Sequence, residues 1–179
     1  MLQIVLLATG VVLLVNGWAL LSGSAPPGTT ALNLLLGVID LSFAAYYFAT
    51  GAAYDALKLA LFGVTYAWYA LNLIRKITDH RILGWYCFGV TVVALPVAVQ
   101  TFQAGDAWFG GFWLLWSGLW ALFFLIMGLG VDRVARFAGA YALAVALITC
   151  LAPGSLIATG TWQMHDDTIT EITGTGVAE

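Results

Sequence analysis

Apolar residues in this chain come in six long runs, at roughly 2–21, 30–50, 56–74, 82–101, 108–130 and 134–159. Each is close to the ~20 residues that a helix needs to cross a bilayer. The runs are parted by short polar or turn-like connectors, "SGSAPPG", "GAAYD", "RKITDH", "FQAGDA" and "GVDR". The pattern predicts an all-α integral membrane protein with six transmembrane helices over residues 1–160. The first run lacks a basic start and is longer than the apolar core of a signal peptide, so it reads as a retained span. After Trp162 comes "QMHDDTITEITGTGVAE", acidic and poor in large apolar residues. Residues 161–179 therefore read as a flexible tail.

Composition sharpens this picture. Hydrophobic residues make up 62% of the chain and charged residues 8%, too little charge to coat a soluble domain. A net charge of −3 gives no reason to expect a nucleic-acid partner. The six basic residues set the orientation. Arg75, Lys76 and Arg81 flank the third connector, Arg133 and Arg136 flank the fifth, and Lys58 stands alone. Those two connectors share one side of a six-span chain. The positive-inside rule makes that side cytoplasmic and leaves both termini outside.

Within the runs, polar and aromatic residues recur at helical spacing. Thr9, Asn16, Thr65, Tyr66, Asn72 and Ser117 all fall on odd-numbered helices. Hydroxyls and amides in hydrocarbon commonly bond one helix to another, so Asn16 and Asn72 serve equally as interhelical support or as pore lining. "FWLLWSGLW" places Trp113, Trp116 and Trp120 on one face of the fifth helix. Phe62, Tyr66 and Tyr69 make a comparable stripe on the third. Packing of large rings is one reading, though each indole N–H then needs an acceptor. The other is a narrow, uncharged slot between two aromatic faces, suited to a small, flat, neutral solute.

Asp40 is the one acid well inside a span. It reads either as a proton relay or ion site, or as a protonated, hydrogen-bonded structural residue, the second being preferred. Cys87 and Cys150 lie in apolar runs without metal-ligand spacing and read as small buried hydrophobes. No nucleophile elbow, zinc motif or phosphate loop is present, so the sequence points to no catalytic residue, metal or cofactor.

Six helices with short connectors suggest three hairpins, and short repeated words support it. "TGVVLLVN" in the first helix parallels "TYAWYALN" in the third, and "SGLWALFF" in the fifth begins at matching depth.

"MLQIVLLATGVVLLVNG", "LFGVTYAWYALN", "WYCFGVTVVALPVAV" and "WLLWSGLWAL", in that order, resemble the AmiS/UreI family of bacterial inner-membrane channels for urea and short-chain amides. The resemblance implies three helix hairpins around a protomer pore, protomers joined as a homo-hexamer in the lipid bilayer, and passive diffusion of urea or short aliphatic amides. It also implies roles by motif. Trp113, Trp116, Leu119 and Trp120 match the fifth-helix constriction. Phe62, Thr65 and Tyr66 match the third-helix wall, and Leu6, Thr9 and Leu13 the first-helix wall. Phe109 replaces a further Trp of a urea-selective member, and the sixth helix lacks that member's intramembrane Glu, which leaves urea and slightly larger amides both open. Two other functions are a proton-coupled carrier using Asp40 and a non-transporting scaffold subunit. Some family members open in acid through histidine-bearing outer loops. The outer connectors here carry no histidine, so permeability is expected to be nearly independent of external pH.

Overall fold

The structure, a computed structural model, describes residues 2–162. The predicted tail from residue 163 onward lies outside the described residues. Six long apolar helices account for the rest: α1 (Leu2–Ser22), α2 (Thr29–Ala49), α3 (Ala53–Ile74), α4 (Arg81–Gln103), α5 (Ala107–Gly128) and α6 (Asp132–Ala158). Large apolar side chains such as Trp18, Phe48, Ile82, Trp85, Trp108 and Phe137 are exposed on the outside of the bundle. An apolar exterior of that kind belongs in hydrocarbon rather than water.

The helices pack as three close pairs. Two are sequential hairpins, α2 with α3 and α4 with α5, whereas the third joins the first helix to the last. Both hairpins turn by the same device. At the end of α4, Gly105 (φ 86°) lets its N–H reach Phe102 O at 3.0 Å and the Asp106 N–H reach Thr101 O at 3.1 Å. Gly51 (φ 87°) closes α2 with the matching pair of bonds onto Phe48 and Tyr47. A left-handed residue followed by these two bonds is the Schellman stop, and glycine adopts it without a Cβ clash. Asp106 then starts α5 at once, its carboxylate accepting the Phe109 N–H at 2.9 Å.

Small residues let each pair come together. A Cβ on Gly37 of α2 would lie 2.6 Å from Ala67 N of α3, and one on Gly17 of α1 would lie 2.9 Å from Gly139 O of α6. In the α4–α5 pair, a Cβ on Gly84 would fall inside the backbone of Gly128. Backbones this close gain dispersion contacts, which drive helix association where lipid removes the hydrophobic effect. Two helices also depart from α geometry, with π turns at Phe124–Gly128 in α5 and Ala146–Leu151 in α6. Each extra residue re-aims the side chains around it, a distortion that recurs at functional sites.

Candidate functional site

The fifth-helix stripe faces the middle of the bundle. Trp113, Trp116 and Trp120 are each at least nine-tenths buried, and one residue of α3 meets all of them. The Phe62 ring lies 5.9 Å from Trp113, 5.1 Å from Trp116 and 4.6 Å from Trp120, measured between centroids. Its 89° angle to Trp116 is an edge-to-face contact, the arrangement that ring quadrupoles favour.

Two cavities meet at that contact. The larger, about 350 Å³, opens at the end of the bundle that carries Asp55 and Asp106. Leu6, Thr9, Phe62, Trp113 and Trp116 form its uncharged depth. The smaller, about 20 Å³, lies beyond and is walled by Thr65, Tyr66, Leu119, Trp120 and Phe123. It holds about one water. Phe62 and Trp116 border both cavities, so together they are the partition between them.

Of the residues singled out from sequence, Leu6, Thr9, Phe62, Thr65, Tyr66, Trp113, Trp116, Leu119 and Trp120 each border one cavity or both. Leu13 borders neither and is buried in the core. Seven residues beyond Leu6 on the same face, it is displaced about 10 Å along the axis. Tyr69 also leaves the stripe. Its ring packs against His80, 6.0 Å away at the basic end.

Two of the three indole donors on the stripe are answered. Trp116 Nε1 donates to Thr149 Oγ1 at 2.8 Å and Trp120 Nε1 to Thr65 Oγ1 at 3.1 Å. Among the described residues Trp113 Nε1, Tyr66 Oη and Thr9 Oγ1 have no such partner, and each of these residues borders one of the cavities.

The remaining polar residues separate cleanly. Asn16 and Asn33 exchange amide bonds of 2.9 Å in each direction, tying α1 to α2. Asn72 Nδ2 lies 3.2 Å from His80 Nδ1 at the basic end. Ser117 donates to Thr91 O at 3.3 Å and so belongs to the α4–α5 interface. Asp40 corrects one expectation. It is fully buried against Gly63 between α2 and α3, and neither carboxyl oxygen has a hydrogen-bond partner. It borders neither cavity.

The mouth of the large cavity is charged, unlike its depth. Lys58 pairs with Asp55 and lies over the Tyr54 ring, 4.8 Å from its centroid. Sequence reading missed this pairing because Lys58 looks isolated until the first turn of α3 brings it one turn from Asp55. It also missed Phe43 and Tyr47 of α2 and Thr101 of α4, which complete the large cavity. At the other end Asp79 receives Arg81, which holds its carboxyl down to about 2.

The profile of a family described as "AmiS/UreI family transporter" matches residues 1–161. A Mycolicibacterium smegmatis protein named for transport of amidate substrates is 36% identical over 166 residues, covering 86% of this chain and 75% of that one. A Rhodococcus erythropolis protein named transporter protein AmiS2 is 34% identical over 164 residues, covering 88% and 79%. The crystal structure of the urea channel from the human gastric pathogen Helicobacter pylori superposes with a TM-score of 0.81 at 25% identity, over 91% of this chain and 100% of that one. The cryoEM structure of the Helicobacter pylori urea channel in its closed state gives 0.77 at 26%, with the same coverage.

Proposed function

This chain belongs to the AmiS/UreI family of transporters, and from that premise we propose that it is a channel for facilitated diffusion of urea or short-chain amides. One observation carries the reading: an uncharged aromatic partition, Phe62 against Trp116, stands between a wide vestibule of about 350 Å³ and a narrow space of about 20 Å³. A flat neutral amide loses little by passing ring faces edge-on. An ion would shed its hydration with nothing to replace it, at a cost of several kcal/mol or more. In the membrane the basic end, with Arg75, Lys76, Arg133 and Arg136, is cytoplasmic and the vestibule opens outward. The bacterial inner membrane is the location and a homo-hexamer the assembly that we assign.

Stopped-flow swelling of proteoliposomes under urea and acetamide gradients tests this directly. Rates well above protein-free lipid without a proton gradient are expected, and lipid-only rates for both solutes would sink the reading. Asp40 separates channel from proton-coupled carrier. Its side chain lies away from both cavities, so Asp40→Asn, an isosteric change, is expected to leave urea flux within about twofold of wild type. Abolished flux in a folded Asp40→Asn protein would restore the carrier.

Flux is also expected to be flat between external pH 5 and 7.5. Among the described residues the vestibule mouth carries Asp55, Lys58 and Asp106 but no histidine, the side chain that ordinarily titrates in this range. Among the described residues the one strongly shifted group outside the spans, Asp79, acts elsewhere. Because Asp79 is depressed to about 2, its pairing is complete above about pH 4 and is lost only as pH falls toward 2. A several-fold rise in flux from pH 7.5 to 5 would contradict this expectation.

A further inference from the structure

Trp116 and Trp120 stand one turn apart on α5, yet their N–H groups leave for different helices. Trp116 is held from α6 by Thr149, and Trp120 from α3 by Thr65. Each hydroxyl in turn donates into its own helix, Thr149 to Val145 O and Thr65 to Leu61 O, both at 2.7 Å. A hydroxyl whose hydrogen is committed offers its lone pairs in fixed directions. Each threonine is therefore an oriented acceptor, and each indole is held to one rotamer. Thr149 is fully buried and sits within the π turn Ala146–Leu151. The extra residue in that turn fixes where its hydroxyl meets α5.

We infer that Thr149 is a positioning residue that sets solute size selectivity by holding the Trp116 indole closed against Phe62. The assignment rests on the channel reading above. It follows that the Trp116 N–H is no ligand for the permeant, because Thr149 already occupies it. Without the hydroxyl, the buried N–H loses its oxygen acceptor and keeps only the weakly accepting Cys150 sulfur beside it, a cost that favours any rotamer reaching water or a stronger acceptor. Such a rotamer draws the indole off Phe62, and the two cavities join. Thr65 acts alike on Trp120, but it also borders the small cavity, so changing it alters lining and latch together. Thr149 borders neither cavity and separates the two effects.

Thr149→Val keeps the shape and removes the hydroxyl, whereas Thr149→Ser keeps the hydroxyl. In proteoliposomes, Thr149→Val is expected to lower the urea-over-butyramide permeability ratio about three- to tenfold, with Thr149→Ser within about twofold of wild type. A wild-type ratio in Thr149→Val overturns the assignment while leaving the channel intact. Wild-type protein that conducts neither solute above lipid removes the channel reading and the selectivity role with it. Ultraviolet resonance Raman reads the latch without any Thr149 variant. Subtracting the Trp116→Phe spectrum from wild type isolates one indole, whose N–H bending band is expected at the hydrogen-bonded position. A free-indole band overturns the assignment even if Thr149→Val fails to fold.

Discussion

Trp116→Ala is expected to cost the channel its size discrimination. The indole is the one fifth-helix ring bordering both cavities, and removing it merges the vestibule with the space beside Trp120. The urea-over-butyramide ratio should fall by about tenfold or more, the scale on which a pocket distinguishes one or two methylenes. Trp120→Ala should act in the same direction through the small cavity. Each change also removes packing worth about 3–5 kcal/mol for a fully enclosed ring, so monodispersity by size exclusion belongs beside every flux. Trp108, two-thirds exposed, supplies the contrast, and Trp108→Ala should leave the ratio unchanged. A folded Trp116→Ala protein with wild-type selectivity would reduce the stripe to packing.

The second large effect lies in the backbone contact between α4 and α5. Gly84→Val is expected to yield no correctly folded protein, since its Cβ would coincide with the Gly128 main chain, which has no side chain to move aside. Gly84→Ala should already destabilise by about 3 kcal/mol or more, the upper range for overpacking. Gly89, on the same helix, has open space where a Cβ would stand. Gly89→Ala should be neutral or gain about 0.5–1 kcal/mol from lower helix-interior entropy cost. Thermal aggregation measured by fluorescence size exclusion on the pair decides the matter. Equal melting temperatures for the two would mean that α4 and α5 do not meet at Gly84.

How much of this could be read in the sequence depends on the range of each signal. The six spans follow from runs of one-sided composition, and each run carries its own evidence. The tryptophan stripe is likewise local, since Trp113, Trp116 and Trp120 advertise a shared face by spacing alone. What the stripe touches is not local. Thr149 lies 33 residues from Trp116, and Thr65 lies 55 residues from Trp120. A threonine inside an apolar helix looks the same whether it latches a neighbour or bonds only its own carbonyl. Asn33 escaped for the same reason, because its partner Asn16 is on another helix. The π turns leave no mark in hydrophobic periodicity, yet they set where the Thr149 side chain points and where the Gly128 backbone lies. Asp40 shows the opposite limit. Its position in a span was plain, but its lack of any hydrogen-bond partner depends on the close approach of α3 at Gly63.

The pairing of α1 with α6 bears on how the molecule is born. During synthesis α2–α3 and α4–α5, as sequential pairs, have both partners in the bilayer once their second helix has entered it. The first helix has no such companion, since the surface that fits Gly10 and Gly17 is made last. At about 5–20 residues per second, α1 waits on the order of ten seconds with that groove bare to lipid. The ring therefore stays open on one side until the final span arrives. A ribosome stalled before α6 leaves two hairpins and a first helix held only to α2, through the Asn16–Asn33 amides, with its glycine groove bare to lipid.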